Sequence, residues 1–183
     1  NIKSGFIPSS RVQVYFTEHK DYFSNVPDLI YKSRNGRIYN NNPEKYSLFS
    51  VGAIKTLEKL FWIPDILICN DWQLGLLPII FNQYYKKNFK KMKIIFLCHS
   101  YNKNYLYPTK LLKKLKLPLN CNKEYLDILC DTINESSFSY ILDNESKTIS
   151  KQLPTVKKNK YKLINYSPTM SASDRIEIYN NIT

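Results

Sequence analysis

The sequence predicts an α/β fold of the doubly wound kind, a mostly parallel sheet between layers of helix. Three observations predict it. Residues 66–69 (ILIC) and 93–98 (KIIFLC) are short apolar runs without polar alternation, the pattern of strands covered on both faces. Segments with helical periodicity flank them, so the order reads strand, helix, strand, helix, strand. Parallel strands need a crossover, and the crossovers here are helical. A chain of 183 residues can build a sizeable core, and 43% hydrophobic with 14% aromatic content belongs to a folded protein.

Each element has its own signal. Residues 11–19 (RVQVYFTEH) alternate and are rich in β-branched and aromatic side chains, which predicts a strand ending near Thr17. Residues 20–42 contain Pro27, Gly36 and a cluster of asparagines, and read as a long loop with one short helix. Residues 43–61 form the clearest helix: Asn42 is the expected cap, Pro43 suits the first turn, and Glu44 favours the positive end of the dipole. Tyr46, Phe49, Ala53, Leu57, Leu60 and Phe61 recur at helical spacing and predict its buried face, with Pro64 as the stop. Residues 74–87 (LGLLPIIFNQYYKK) read as a second helix with Pro78 near its start, and residues 108–118 as a short basic helix with a solvated face. Residues 119–162 are less regular and predict short helices only. Residues 162–181 read as a strand, a turn at Ser167-Pro168 and a final helix.

The formal net charge of +12 admits nucleic acid, anionic membranes or phosphorylated ligands as partners. Lys, Asn, Ile and Tyr are abundant together along the whole chain, so we read the charge as a composition bias. No RNP-type aromatic motif or zinc-finger spacing accompanies it, and no nucleic-acid partner is expected. No apolar run approaches a membrane span. The four cysteines, Cys69, Cys98, Cys121 and Cys130, form no C-x-x-C pair; we expect no structural zinc and a reducing, cytoplasmic setting. The chain begins at Asn1 without a basic-then-apolar leader, which reads as a cut N-terminus.

In open parallel sheets, ligands bind outside the carboxyl ends of the strands. The three predicted strands end in Glu18-His19, in Asn70-Asp71-Trp72-Gln73 and in His99-Ser100-Tyr101. Parallel neighbours would place these clusters along one rim. A carboxylate, an imidazole, an indole and several amides suit a sugar: planar hydrogen-bonding groups for hydroxyls and an aromatic face for the C–H side of the ring. Each residue also has a structural alternative. Asp71 could cap the next helix, Trp72 could be core, and His99 or His19 could tie down a loop.

The segment "PDILICNDWQLGLLP" resembles the D-W-Q-x-G-L-x-P segment of bacterial glycogen synthases and plant starch synthases. "VQVYFTEHKDYF", "YNNNPEKYSLFSVGAIKTLEKLFWIPD", "KIIFLCHSYNKNYLYP" and "YSPTMS" resemble further family segments in family order. The resemblance implies the GT-B architecture of two Rossmann-like domains. Residues 1–183 would be most of the N-terminal, three-layer, acceptor-side domain, truncated at its N-terminus, with the C-terminal nucleotide-binding domain outside this sequence. It implies a retaining transfer of glucose from ADP-glucose, or UDP-glucose, to the 4-hydroxyl end of an α-1,4-glucan, without metal or other cofactor. His99 matches the histidine that contacts the donor glucose and Asp71 the carboxylate beside the reacting sugars; these are the expected catalytic pair. Trp72 and Gln73 match residues that shape the pocket, and Tyr39 an aromatic position near the glucan. Asn70, Ser100 and His19 complete the expected substrate-binding set. The chain departs from the family pattern at Ser100, where an asparagine is usual, at Lys45, where an arginine is usual, and at Lys103-Asn104-Tyr105, which lacks the family glycine. Ser100 and the lost glycine are the basis of an alternative, a glucan-binding scaffold on a decayed synthase fold.

Overall fold

The run at residues 93–98 becomes an interior strand of a parallel sheet. In a computed structural model of the chain, the described residues are 1–24, 29–100, 106–114, 116–143, 149–153, 155–165, 167 and 169–180, apart from the side chains of 114, 178 and 179. They divide into two compact units, Asn1–Trp62 and Ile63–Thr183.

In the second unit, β3 (Ile66–Asn70), β4 (Lys93–Cys98), β7 (Phe138–Asp143) and β8 (Tyr161–Asn165) form a four-stranded sheet in that spatial order, every pair parallel. Strand order equals chain order, so each carboxyl end emerges beside the next. After β3 the chain makes a 3-10 turn at Trp72–Leu74 and enters α3 (Leu76–Ile80), which continues as a π-helical turn over Phe81–Tyr85. The link from β4 to β7 holds β5 (Leu106–Pro108), α4 (Lys110–Lys114), β6 (Tyr125–Asp127) and α5 (Cys130–Glu135), with β5 and β6 paired antiparallel. The last described element is α6 (Ala172–Asn180).

β4 is buried from Ile94 to Cys98, as its composition predicts. Ile95 and Leu97 pack with Leu142, Tyr140 and Ile164 on one side of the sheet. β3 differs from expectation. It ends a row of the sheet, and Ile66 and Ile68 are exposed while Cys69 is fully buried. β7 corrects the reading of residues 119–162 as irregular: "FSYILD" is a buried strand whose signal is masked by the polar stretches on either side.

The first unit contains the hairpin β1 (Ile2–Phe6) and β2 (Gln13–Thr17), then α1 (Lys20–Phe23) and α2 (Asn42–Lys59). β2 ends at Thr17 as predicted, yet among the described residues it pairs with β1 alone, antiparallel, in a two-stranded sheet. The expectation that β2 is a parallel neighbour of β3 and β4 is therefore overturned. A tight return closed by Ile7 N–H to Val12 O, with Ser9 at φ 60°, lets the two strands satisfy each other locally.

The buried face of α2 also differs. Asn42, Lys45, Tyr46, Ser47, Ser50, Ile54 and Leu57 are buried, whereas Leu60 and Phe61 are exposed. Ser47 and Ser50 can be buried because their hydroxyls donate to the carbonyls of Pro43 and Tyr46, one turn back. The helix stops before Pro64. Phe61 takes a left-handed conformation (φ 51°), its N–H donates to Glu58 O, and Trp62 N–H donates to Leu57 O. That is a Schellman ending, normally built on glycine. Asn42 lies inside the helix and Asn41 holds the cap position without a side-chain bond. Pro168 lies outside the described residues, so the predicted turn is described only at Ser167, whose carbonyl accepts from Met170 N–H.

Gly75 shows why the D-W-Q-x-G pattern needs a glycine. Its φ of −60° is ordinary, but a Cβ there would stand 2.4 Å from Ile128 Cγ2 and 3.0 Å from Thr132 Oγ1. Thr132 Oγ1 donates to Gly75 O at 2.7 Å, which holds α5 against the start of α3. Gly75→Ala is expected to cost roughly 1–3 kcal/mol in urea unfolding, through overpacking; an unchanged midpoint would contradict this packing. Cys69, Cys98 and Cys130 are buried and Cys121 is exposed. Burial pushes the Cys69 and Cys98 thiols up, and that of Cys130 up to about 11. A thiol reagent at mildly alkaline pH is expected to label Cys121 alone until denaturant is added.

Candidate functional site

The sheet brings the ends of β3 and β4 together. Asn70 is in register with Leu97, so Asp71 and His99 leave the same edge of adjacent strands. Asp71 sits at φ 61°, ψ 179°, a region that glycine alone occupies without strain. The turn aims its carboxylate across to β4 instead of down the following helix, and no capping bond to that helix forms. Asp71 N–H donates to Leu97 O at 2.7 Å. Asp71 Oδ1 accepts from Ser100 N–H at 3.1 Å and from His99 N–H at 3.4 Å, and Oδ2 accepts from the Ser100 hydroxyl. The carboxylate is buried, and what it holds is the chain leaving β4.

The His99 ring is the exposed partner in this lock. Its side chain keeps 39% of its surface. Nδ1 stands 3.5 Å from Asp71 Oδ2, and Nε2 3.2 Å from Asn70 Oδ1. Two oxygens thus flank the two ring nitrogens and fix the plane of the imidazole. In the neutral ring, one nitrogen donates and the other needs a donor, which rotation of the exposed Asn70 amide can supply. Behind the ring, the buried Cys98 thiol donates to Ser100 O at 3.4 Å. Burial, reinforced by Asp71 and Asp143, holds that thiol well above its ordinary range.

Of the residues expected at the site, Asn70, Asp71, His99 and Ser100 come together. Trp72 is 3% exposed, so the indole packs inside and presents no face to a ligand. Gln73 is half-buried in the 3-10 turn beside it. Tyr101 and residues 103–105 lie outside the described residues. Tyr39 and His19 belong to the first unit. Tyr39 is half-buried, with Lys45 Nζ 5.4 Å from its ring centroid. His19 caps α1, its Nδ1 accepting from Asp21 N–H at 3.3 Å. β2 is not in the parallel sheet, so strand pairing does not set His19 beside Asp71 and His99.

Sequence reasoning missed Asp143 at the carboxyl end of β7. It is buried, and its carboxylate accepts from Ile149 N–H at 3.2 Å and Ser150 N–H at 2.8 Å. The available signal was an aspartate closing an apolar run, as in β3. Among the described residues, no three His, Cys, Asp or Glu side chains stand close enough to hold a metal ion, and no helix is long and apolar enough to cross a membrane. The backbone at Asp71 yields a stability test: Asp71→Gly is expected to be about 1–2 kcal/mol more stable than Asp71→Ala, since only alanine keeps the left-handed strain. Equal thermal midpoints would contradict the strained turn.

A family model described as the starch synthase catalytic domain matches residues 2–149. A glycogen synthase of Chlorobium limicola is 35% identical over 117 residues, covering 63% of this chain and 24% of the relative. One of Pelodictyon phaeoclathratiforme is 29% identical over 161 residues, covering 84% of this chain and 32% of the relative. The chain thus spans about a quarter to a third of these relatives' length. The catalytic domain of starch synthase IV from Arabidopsis thaliana, solved with ADP and acarbose, superposes with a TM-score of 0.56 at 20% identity, over 78% of this chain and 30% of that one. That last likeness is one of fold. With the family model covering most of its length, the chain belongs to the starch synthase catalytic-domain family.

Proposed function

We propose that this chain is the acceptor-side, N-terminal part of a glycogen or starch synthase. The parent enzyme transfers glucose, with retention, from a nucleotide diphosphate sugar to the non-reducing 4-hydroxyl of an α-1,4-glucan. ADP-glucose is the favoured donor, with UDP-glucose as the alternative, and the nucleotide-binding domain belongs to another part of the same polypeptide. The observation that carries the reading is the interlocked Asn70–Asp71–His99–Ser100 cluster at two adjacent strand ends, in a chain of this family. Four unpaired thiols, three of them buried, support a reducing, cytoplasmic setting.

The roles follow from exposure. His99 is the group offered to the sugar, because its ring is open to solvent while the groups behind it are fixed. A sugar hydroxyl can join or displace the exposed Asn70 amide at Nε2. Asp71 is too enclosed to meet a glucan directly. It acts by fixing His99 and Ser100, so the polar groups that face the anomeric carbon are oriented before charge develops there. Trp72 shapes the site from inside, and Tyr39 is assigned to the glucan.

Glucose incorporation into glycogen from ADP-glucose by the full-length protein tests this reading. His99→Ala and Asp71→Ala are each expected to lower kcat by about a hundredfold or more, in the range for lost preorganised polar groups. Rates unchanged in both variants would remove the assigned roles.

A further inference from the structure

Lys45 is an oddly placed lysine. It is 3% exposed, and desolvation pulls its ammonium below the usual lysine range. It also lies in the opening turns of α2, where the positive end of the helix dipole disfavours a cation. A lysine that merely filled space would be better replaced by an apolar side chain. Its ammonium instead donates to Ile30 O at 2.8 Å and stands over the Tyr39 ring. Three residues earlier on the same helix, the buried Asn42 Nδ2 donates to Tyr31 O, also at 2.8 Å.

These two bonds grip one segment. The chain from Tyr31 to Tyr39 doubles back on itself: Tyr39 N–H donates to Tyr31 O, Lys32 and Ile38 form a bridge, and Gly36 takes φ 85° at the turn. Asn42 N–H donates to Tyr39 O at 3.2 Å. The base of this return is therefore held on both sides by the start of α2. Two buried polar atoms of the residues at this base, the Tyr39 hydroxyl and Asn42 Oδ1, have no hydrogen-bond partner among the described residues. Such orphans are costly to bury.

We propose that Lys45 and Asn42 are positioning residues that clamp the Tyr31–Tyr39 return against α2 and thereby set the affinity for the glucan acceptor through Tyr39. The inference rests on the acceptor-side reading above and extends it to two residues that touch backbone, not substrate. A lysine serves because one compact ammonium meets a carbonyl and an aromatic face together.

The test uses the full-length protein with Lys45→Met, Lys45→Arg, Asn42→Ala and Tyr39→Ala. Two quantities are read: KM for glycogen and for the nucleotide sugar against kcat, and hydrogen exchange of residues 29–39. Lys45→Met is expected to raise the glycogen KM by about tenfold, the loss of one charged hydrogen bond, with kcat and donor KM within about twofold. Exchange of residues 29–39 rises in parallel. Lys45→Arg restores most of both, and Asn42→Ala, which leaves the buried cation in place, gives a smaller shift in the same direction. Faster exchange with an unchanged glycogen KM overturns the link to the acceptor, and unchanged exchange overturns the clamp. An unaltered glycogen KM in Tyr39→Ala overturns the acceptor role of Tyr39, and that failure is told from a failure of the clamp by the exchange data alone.

Discussion

A buried carboxylate on a strained turn governs this structure. Asp71 occupies a backbone region that costs about 1–3 kcal/mol for a residue with a side chain. In return its oxygens accept from Ser100 N–H and the Ser100 hydroxyl, and more loosely from His99 N–H. Bonds to a charged acceptor contribute roughly 1.5–3 kcal/mol each, so two good ones offset the strain. The consequence is geometric. The end of β3 cannot separate from the end of β4 without exposing a buried charge, and the His99 ring is held where the sheet opens to solvent.

The same device recurs one strand further on. Asp143 closes β7 and captures the backbone N–H groups of Ile149 and Ser150. Two strand ends in the parallel sheet thus carry a buried aspartate that binds main chain, and Cys98 feels both charges. Carboxylates placed this way hold Ser100, Ile149 and Ser150 at the rim where ligands of parallel sheets are met. In the first unit a cation does comparable work, since Lys45 and Asn42 bind consecutive carbonyls of the return that leads to Tyr39.

Much of this was legible in residues 61–80. The apolar run, its abrupt polar end and the D-W-Q-x-G order point to a parallel strand meeting a ligand edge, and the pairing of β3 with β4 bears out their placement side by side. The failures have identifiable causes. A period-2 pattern gives a strand but no partner, and β2 pairs antiparallel with β1 instead of joining the parallel sheet. Helical periodicity ranks apolar positions and overlooks serines, yet Ser47 and Ser50 are buried because the helix backbone satisfies their hydroxyls. The residues leave Trp72 open between a ligand-facing indole and core, and only its burial in the fold separates the two.

The sequence by itself determined the class of fold, the existence of β4, α2 and the helical segment after β3, and the cluster of polar residues from Asn70 to Gln73. Those follow from local pattern, because burial on both faces and helical period are written into neighbouring residues. Only the tertiary structure decided that β3 lies at the end of a row, that β7 is a sheet strand, and that Asp71 turns away from its own helix to hold Ser100. Those outcomes depend on which groups lie within about 3 Å across the sheet, and a hydrogen bond between residues 29 positions apart leaves no period in the chain.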